Sequence, residues 1–162
     1  MSYAISRRRP RTTVAIGAAS LGLLALTGCQ KPSPLVTATV NSETVTAEAA
    51  CYDEGKTLPG EDAKKCLGEE AEKTVKLGPG DKFRLGVEPD TAESGWLFVV
   101  GNRPALSGTV KKTYYTFDGD SLFREQTQDG GTTTRKSVKA SVVQMKDGQF
   151  KGIWHFELRK TD

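Results

Sequence analysis

The first feature of the hydrophobic pattern is a run of thirteen largely apolar residues, 14–26, that directly follows an arginine-rich segment. In a helix this run rises about 20 Å, which is too short for a hydrocarbon core of about 30 Å. A positive flank, a short apolar stretch and small residues at its end are typical of a secretory signal peptide. We therefore expect residues 1–28 to be a signal peptide that directs export.

From residue 35 onward, short β-prone segments alternate with polar turns. Thr- and Val-rich segments flank Asn41-Ser42, and two longer segments flank Asp147-Gly148, a dipeptide that suits a two-residue hairpin turn. The predicted strands are residues 35–40, 43–47, 73–77, 83–87, 96–100, 111–117, 136–145 and 150–160.

The last predicted strand shows the alternation most clearly. Its apolar side carries Trp154, Phe156 and Leu158, and its polar side carries His155, Glu157 and Arg159. No long helix is predicted after the signal segment, and residues 126–134 are expected to be the least ordered part. We predict one all-β domain over residues 35–162, an immunoglobulin-like antiparallel β-sandwich of about seven or eight strands.

The end of the apolar run predicts a lipid attachment site. Leu26-Thr27-Gly28-Cys29 resembles the lipobox of bacterial lipoproteins. In that family the cysteine thiol takes a diacylglycerol, cleavage occurs just before the cysteine, and the new N-terminus usually receives a further acyl chain such as palmitate. More than one chain is needed for stable anchoring. We expect lipidation of Cys29, a Pro-containing tether over residues 29–34, and attachment to the extracytoplasmic face of the cell membrane.

Two alternatives stay open for this segment: a plain signal peptide with an incidental cysteine, and an anchor that is not cleaved. The export route is also open. Ser6-Arg7-Arg8 is compatible with a twin-arginine signal, whereas Pro10 and Arg11 stand where that signal has apolar residues.

The charge balance changes once the signal peptide is set aside. The chain has 23 basic and 20 acidic residues, a net charge of +3. Four of the basic residues and none of the acidic ones lie in residues 1–28, which leaves 19 against 20, a net charge of −1. Nucleic-acid binding rests on a basic surface, so no nucleic-acid partner is expected.

Two cysteines remain after Cys29 is assigned to lipid. In an oxidising compartment Cys51 and Cys66 are expected to form a disulfide, which in the chain-entropy model contributes on the order of 3 kcal/mol. A metal or redox pair is the alternative, although the spacing is not that of Cys-x-x-Cys. Residues 60–68, inside the loop, are predicted to form a short helix with acidic residues at its start and lysines near its end.

The sequence offers few catalytic or metal-binding groups. His155 is the only histidine, and the strand alternation places it on the polar face, where we expect a solvated side chain. Zinc and copper sites need several His or Cys ligands, and Asp118-Gly119-Asp120 lacks the other ligands of a calcium loop. We expect no catalytic residue, metal or cofactor. A hydrolase that uses carboxylates from the loop 88–93 remains the alternative.

Two possible binding surfaces are predicted. Trp96, Tyr114 and Tyr115, with Phe117, could present aromatic faces to a sugar or peptide, although aromatic residues in strands more often belong to the core. A basic hairpin over residues 135–160 could lie near anionic headgroups or wall polymers. Its basic residues are Arg135, Lys136, Lys139, Lys146, Lys151, Arg159 and Lys160.

The order of several short motifs resembles a family of small actinobacterial lipoproteins of the streptomycete type, known only as a domain of unknown function. The motifs are the arginine-rich signal, Thr27-Gly28-Cys29-Gln30-Lys31-Pro32, Ala49-Ala50-Cys51-Tyr52, Lys65-Cys66-Leu67, Gly95-Trp96 and Ile153-Trp154-His155-Phe156. The resemblance spans nearly the whole chain and implies no catalytic residue and no ligand.

A second resemblance is to chagasin-like cysteine-protease inhibitors, which are immunoglobulin-like. Pro89-Asp90-Thr91 ahead of Gly95-Trp96, and Gly130-Gly131, are similar to two of their inhibitory loops, but the Arg-Pro-Trp of the third loop is absent. The leading hypothesis is therefore a lipid-tethered, non-enzymatic binding or accessory module of the cell envelope. The hydrolase and the protease inhibitor are the alternatives.

Overall fold

The structure is a computed structural model that describes residues 32–127 and 129–162. The predicted signal peptide and Cys29 lie outside these described residues. None of the helices in the described part of the chain has the length and apolar character needed to cross a bilayer.

Short strands dominate the described residues, as the pattern predicts, and three short helices connect them. The strands are β1 (Val36–Val40), β2 (Glu43–Ala47), β3 (Cys51–Tyr52), β4 (Thr74–Leu77), β5 (Lys82–Val87), β6 (Trp96–Val100), β7 (Arg103–Pro104), β8 (Tyr114–Asp118), β9 (Arg124–Gln126), β10 (Thr132–Thr134), β11 (Ser137–Lys146) and β12 (Gln149–Lys160). The helices are α1 (Gly60–Gly68), α2 (Pro89–Ser94) and α3 (Gly119–Leu122).

Two sheets form the sandwich. The smaller sheet has the order β2-β1-β5-β8, and every pair in it is antiparallel. The larger sheet has the order β3-β12-β11-β6-β7. Along the free edge of β12, β3 pairs near the start of the strand and β4 near its end. A separate hairpin joins β9 and β10. The prediction of an all-β sandwich is confirmed.

The main core lies between the two sheets and comes from alternating positions. Phe83 and Leu85 of β5 face Phe98 of β6 and Phe156 of β12, and all four are fully buried. The Phe83 and Phe98 rings stack with their centroids 5.6 Å apart. A strand with one buried face must alternate in this way, so the local pattern was sufficient to predict these positions.

A second, smaller core covers the outer face of the larger sheet. The disulfide between Cys51 and Cys66 is present and fastens α1 over this face, which confirms both the predicted bridge and the predicted helix. Ala63 of α1 packs there with Val143 and Ile153 of the sheet. The larger sheet therefore has a covered region on both of its sides.

The predicted hairpin at Asp147-Gly148 is also confirmed. Asp147 has φ 52° and Gly148 has φ 77°, so both central residues of the turn are left-handed, as a type I′ turn requires. Asn41, in the turn between β1 and β2, has φ 53°. Asn and Asp tolerate this conformation better than other residues with a side chain, which explains why these dipeptides were informative.

Three details differ from the expectations. The pair β4–β12 is parallel. The expected loop at 88–93 contains most of α2. The strand expected at 111–117 begins only at Tyr114, and the Lys112 carbonyl before it accepts from the Trp96 indole.

Candidate functional site

His155 is buried, with 4% of its surface exposed, which makes the prediction of a solvated histidine wrong. It lies on the outer face of β12 directly beside Ser141 of β11, and α1 covers this face. Ser141 Oγ lies 2.8 Å from His155 Nδ1, and His155 Nε2 lies 2.9 Å from the Cys66 carbonyl. The alternation of apolar and polar residues correctly placed His155 on the outer face of β12, but α1 and not water covers that face.

The hydrogen bonds determine which tautomer His155 adopts. The Cys66 carbonyl can only accept, so Nε2 carries the proton and Nδ1 accepts from the Ser141 hydroxyl. Burial lowers the pKa of His155 below its ordinary value, and the positive charge of Lys139 lowers it further. The bond to the Cys66 carbonyl and the charge of Glu69 act in the opposite direction. The imidazole is therefore neutral near pH 7.

Lys139 supplies a second connection between the sheet and the end of α1. Its Nζ donates to the carbonyls of Leu67 and Glu69 at 2.6 and 2.7 Å. The last carbonyls of a helix have no partner within the helix, and a cation is favourable there. The disulfide, His155 and Lys139 thus hold the same end of α1 against the larger sheet.

The Ser141–His155 pair resembles half of a nucleophilic site, but its surroundings favour a structural role. Ser141 is only 4% exposed and lies in the middle of β11. A serine nucleophile must contact its substrate, and its histidine base is normally oriented by a third polar side chain. Here the second nitrogen of His155 is bonded to a backbone carbonyl of the helix that covers it.

The predicted aromatic binding surface is not assembled. Trp96 is fully buried and Phe117 is 8% exposed, so both belong to the core. Tyr115 is half-buried and packs on Phe117, with ring centroids 4.8 Å apart. Tyr114 is 50% exposed and is the member of the group that is open to solvent. Trp96 points inward because it begins a strand whose alternate residues face the other sheet.

The carboxylates of Asp118 and Asp120 hold the local structure together. Asp118 Oδ1 accepts from the Ser121 N–H at the start of α3, and Oδ2 pairs with Lys82 at 2.9 Å. Asp120 accepts from the Gly80 N–H and pairs with Lys160 at 3.0 Å. The hydrogen bond from Lys82 lowers the pKa of Asp118, and the bond from Gly80 lowers that of Asp120.

Among the described residues, one group has metal-ligand spacing: Cys51, Cys66 and Glu69. The two sulfur atoms are joined in the disulfide, so neither is a thiolate ligand. Of the carboxylates in the loop proposed for a hydrolase, Glu88 Oε1 accepts from the Leu35 N–H at 2.9 Å. Asp90 and Glu93 lie on α2.

One end of the sandwich, which we call the entry end, is where Pro34 and Leu35 lead into β1. The buried indole of Trp154 donates to the Pro34 carbonyl at 2.8 Å, and the Ala49 N–H donates to Ser33 Oγ at 3.3 Å. A pocket of about 570 Å³ opens beside it. Its charged lining residues are Glu48, Glu70, Glu72 and Lys73, with His155 beneath.

The opposite end contains a smaller pocket of about 310 Å³, which we call the arginine pocket. Its apolar floor is formed by Val100, Leu122, Phe123 and Val138, and its rim carries Arg103, Arg124 and Arg135. Of the three rim arginines, the sequence predicted a possible binding role only for Arg135, as part of the basic hairpin. The rim comes from three separate segments, so no local pattern could reveal it.

The basic hairpin does not form one continuous surface. Arg135 pairs with Glu125, Lys139 binds the end of α1, and Lys160 pairs with Asp120. Arg135 also lies two residues before β11, and Lys146 is its last residue, so a strand about 33 Å long separates them. The basic side chains therefore serve several local contacts, and only Arg135 contributes to a pocket with other arginines.

No protein-family model, no curated protein and no solved structure matches this chain. The function therefore has to be argued from the geometry of the described residues and from the segment that precedes them.

Proposed function

We propose that the protein is a lipoprotein anchored through Cys29 on the extracytoplasmic face of the cell membrane, where its β-sandwich acts as a non-enzymatic binding or accessory module. The observation that carries this proposal is Leu26-Thr27-Gly28-Cys29 at the end of the short apolar run. Within the described domain, the buried Trp154 indole forms a hydrogen bond with the Pro34 carbonyl. It fixes the point at which the chain enters the domain. Residues 29–34 then link the lipid to one defined end of the sandwich.

The segment before the domain supports the anchor. The apolar run 14–26, the flanking arginines and Leu26-Thr27-Gly28-Cys29 are what a lipoprotein signal requires. The resemblance to small actinobacterial lipoproteins supports the same assignment. A tether of six residues spans at most about 20 Å, so it keeps the entry end near the membrane.

This orientation rests on the length of the tether and not on charge. The pocket at the entry end carries three glutamates against one lysine, and anionic headgroups repel such a surface. The end that faces away from the membrane is then the one with the arginine pocket. An envelope protein, a wall polymer or a small ligand could reach the domain there.

The hydrogen bonds that hold the candidate catalytic side chains in place support a binding role in preference to catalysis. His155 and Ser141 are buried in a structural contact, and Asp118 and Asp120 stabilise α3 and the turn at Gly80. General acid–base catalysis needs groups that can reach a substrate with a suitable pKa. His155, Asp118 and Asp120 are instead in contacts that hold the fold together.

Metabolic labelling with an alkyne analogue of palmitate tests the anchor. The wild-type chain, expressed in a bacterium with intact lipoprotein processing, should incorporate the label and sediment with membranes. Cys29→Ala should remove the label and leave the precursor uncleaved. The double variant Cys51→Ala/Cys66→Ala is the matched control, and it should keep the label. Equal labelling of Cys29→Ala and wild type would contradict the proposal.

A further inference from the structure

The arginine pocket is open at the end of the sandwich farthest from the chain entry. β1 begins at Val36 beside the entry and pairs antiparallel with β5, so Val40 lies opposite Phe83. Phe83 in turn pairs with Phe117 of β8, and α3 follows directly after β8. A five-residue strand spans about 16 Å, which separates this end of the domain from Leu35.

The floor of the pocket is a piece of the main core that reaches the surface. Val100, Leu122 and Phe123 are 5%, 4% and 2% exposed, and half-buried Val138 completes the floor. These side chains belong to β6, to α3 and its end, and to β11. The floor is therefore made by elements of the sandwich itself and does not depend on a loop to form it.

The rim arginines are positioned by different contacts. Arg103 Nη2 donates to the Arg124 carbonyl at 2.6 Å. Arg135 binds Glu125 with both Nε and Nη2, the latter at 2.8 Å. Arg124 makes no ion pair with any other described residue. One guanidinium is thus held by backbone and one by a carboxylate. The third, of Arg124, is exposed and lies near Asp120, whose pKa is lowered mainly by the Gly80 N–H and to a smaller extent by the charge of Arg124.

The lining of the pocket carries a net positive charge. Three guanidinium groups surround it, and Glu125 is the single acidic residue in its lining. The hydrogen bond from Arg135 lowers the pKa of Glu125, and the same bond raises the pKa of Arg135, so both are ionised at neutral pH. This pair cancels one charge within the lining, which leaves Arg103 and Arg124 as its other charged residues, with Asp120 outside the lining but close enough to Arg124 to interact with it.

We propose that the arginine pocket binds a small amphipathic anion, whose carboxylate or phosphate group is held by the guanidinium groups and whose apolar part packs on the floor. Guanidinium groups bind both kinds of anion through paired hydrogen bonds, which gives geometric specificity as well as affinity. A volume of about 310 Å³ is near the lower limit for ligand pockets, so the ligand is small. This inference rests on the proposed binding function and not on the lipid anchor.

The apolar floor distinguishes this ligand from an inorganic ion. Inorganic phosphate would contact the rim and leave half-buried Val138 and the small exposed part of the rest of the floor facing water. An amphipathic anion removes this apolar surface from water and gains affinity from it. Affinity should therefore require both parts of the ligand.

Ligand-observed saturation-transfer NMR tests the proposal with the full lipidated chain in nanodiscs of zwitterionic lipid. The probes are benzoate and phenyl phosphate, with benzyl alcohol as the neutral counterpart, inorganic phosphate as the counterpart without an apolar part, and empty nanodiscs as the blank. At least one aromatic anion should bind about tenfold or more tightly than benzyl alcohol and inorganic phosphate.

Two variants locate the binding. Arg124→Ala removes the exposed guanidinium and should weaken binding about tenfold or more. Lys146→Ala removes one positive charge near the other end of β11 and should leave binding unchanged. If both variants bind as tightly as wild type, if benzyl alcohol binds as well as the anions, or if no probe binds, the proposal is overturned.

A further arm distinguishes the source of a phosphate group. If phenyl phosphate binds and nanodiscs that contain an anionic phospholipid displace it, the ligand is a lipid headgroup. If such nanodiscs do not displace it, the ligand is a free phosphate compound. Failure of every probe would leave the anchoring of Cys29 unaffected, because that is measured separately by palmitate labelling.

Discussion

The arginine pocket is built differently from the chain entry and the outer face of the larger sheet. The Trp154–Pro34 hydrogen bond holds the chain entry, and the disulfide and the buried Ser141–His155 pair lie on the outer face of the larger sheet. At the opposite end of the sandwich, the rim of the arginine pocket contains one ion pair, between Arg135 and Glu125, both about half exposed. Exposed ion pairs contribute little to stability. The difference indicates that the contacts of the first region stabilise the fold while the arginine pocket is available for binding.

The largest effect is expected from loss of the disulfide. Cys51 and Cys66 are 15 residues apart, and for such a loop the chain-entropy model gives about 3 kcal/mol of stabilisation. Reduction should lower the melting temperature by an amount that corresponds to this loss, measured by calorimetry with and without reductant. Cys51→Ala/Cys66→Ala is the control and should not respond to reductant. An unchanged melt of the wild type would show that the fold does not depend on the bridge.

Trp154→Phe should have the next largest effect. It removes the indole N–H and leaves the Pro34 carbonyl without its donor, which should lower the free energy of unfolding by about 1–3 kcal/mol in urea titrations. Trp96→Phe is the matched control, because it removes an equally buried indole that donates to Lys112. Only Trp154→Phe should accelerate hydrogen exchange at Leu35. Equal acceleration in both variants would mean that the indole does not fix the chain entry.

Mild acid should destabilise the protein through His155. Burial lowers its pKa, so between that pKa and the ordinary value of about 6.5 the unfolded chain binds more protons than the folded one. Stability should therefore fall as the pH drops below about 6.5. His155→Gln, which can donate and accept in the same places without titrating, should have a flatter profile between pH 7 and 5 in denaturant titrations. Parallel profiles would contradict a buried, neutral imidazole.

The acidic residues with lowered pKa values act in a separate range of pH. Asp118, Asp120 and Glu125 favour the folded state while they are ionised, and this contribution is lost as the pH falls below about 4. The effect of His155 can therefore be measured apart from theirs.

The smallest effect on stability is expected from the arginine pocket. Arg124 is exposed and forms no ion pair with another described residue, so Arg124→Ala should change the free energy of unfolding by less than about 0.5 kcal/mol. The same variant is expected to lose ligand binding. A loss of stability as large as that of Trp154→Phe would mean that the two ends of the sandwich do not differ in the way described.

The sequence predicted those parts of the structure that depend on local pattern. The alternation in β5 and β12 and the left-handed turn at Asp147-Gly148 are properties of a few neighbouring residues, so the strands and the hairpin were found. The disulfide followed from the even cysteine count once Cys29 was set aside. The short helix followed from the charges at its two ends.

The parts that were missed depend on contacts between distant segments. Alternation correctly placed His155 on the outer face of β12, but its burial comes from Cys66, 89 residues earlier in the chain. Trp96 begins β6, which lies between β11 and β7 in the larger sheet, and a run of apolar residues does not reveal which of them face the core. The three arginines of the pocket lie on three segments that only the folded topology brings together.

Photo-crosslinking in intact cells tests the difference between the two ends most directly. A photo-reactive residue replaces Asn102, at the arginine pocket, or Thr46, at the pocket of the entry end, and adducts are identified from the mass of the purified protein. We expect a defined adduct with an anionic compound at Asn102, its loss in the Arg124→Ala background, and no such adduct at Thr46. The same adduct at both positions, or one at Asn102 that persists in Arg124→Ala, would contradict the account.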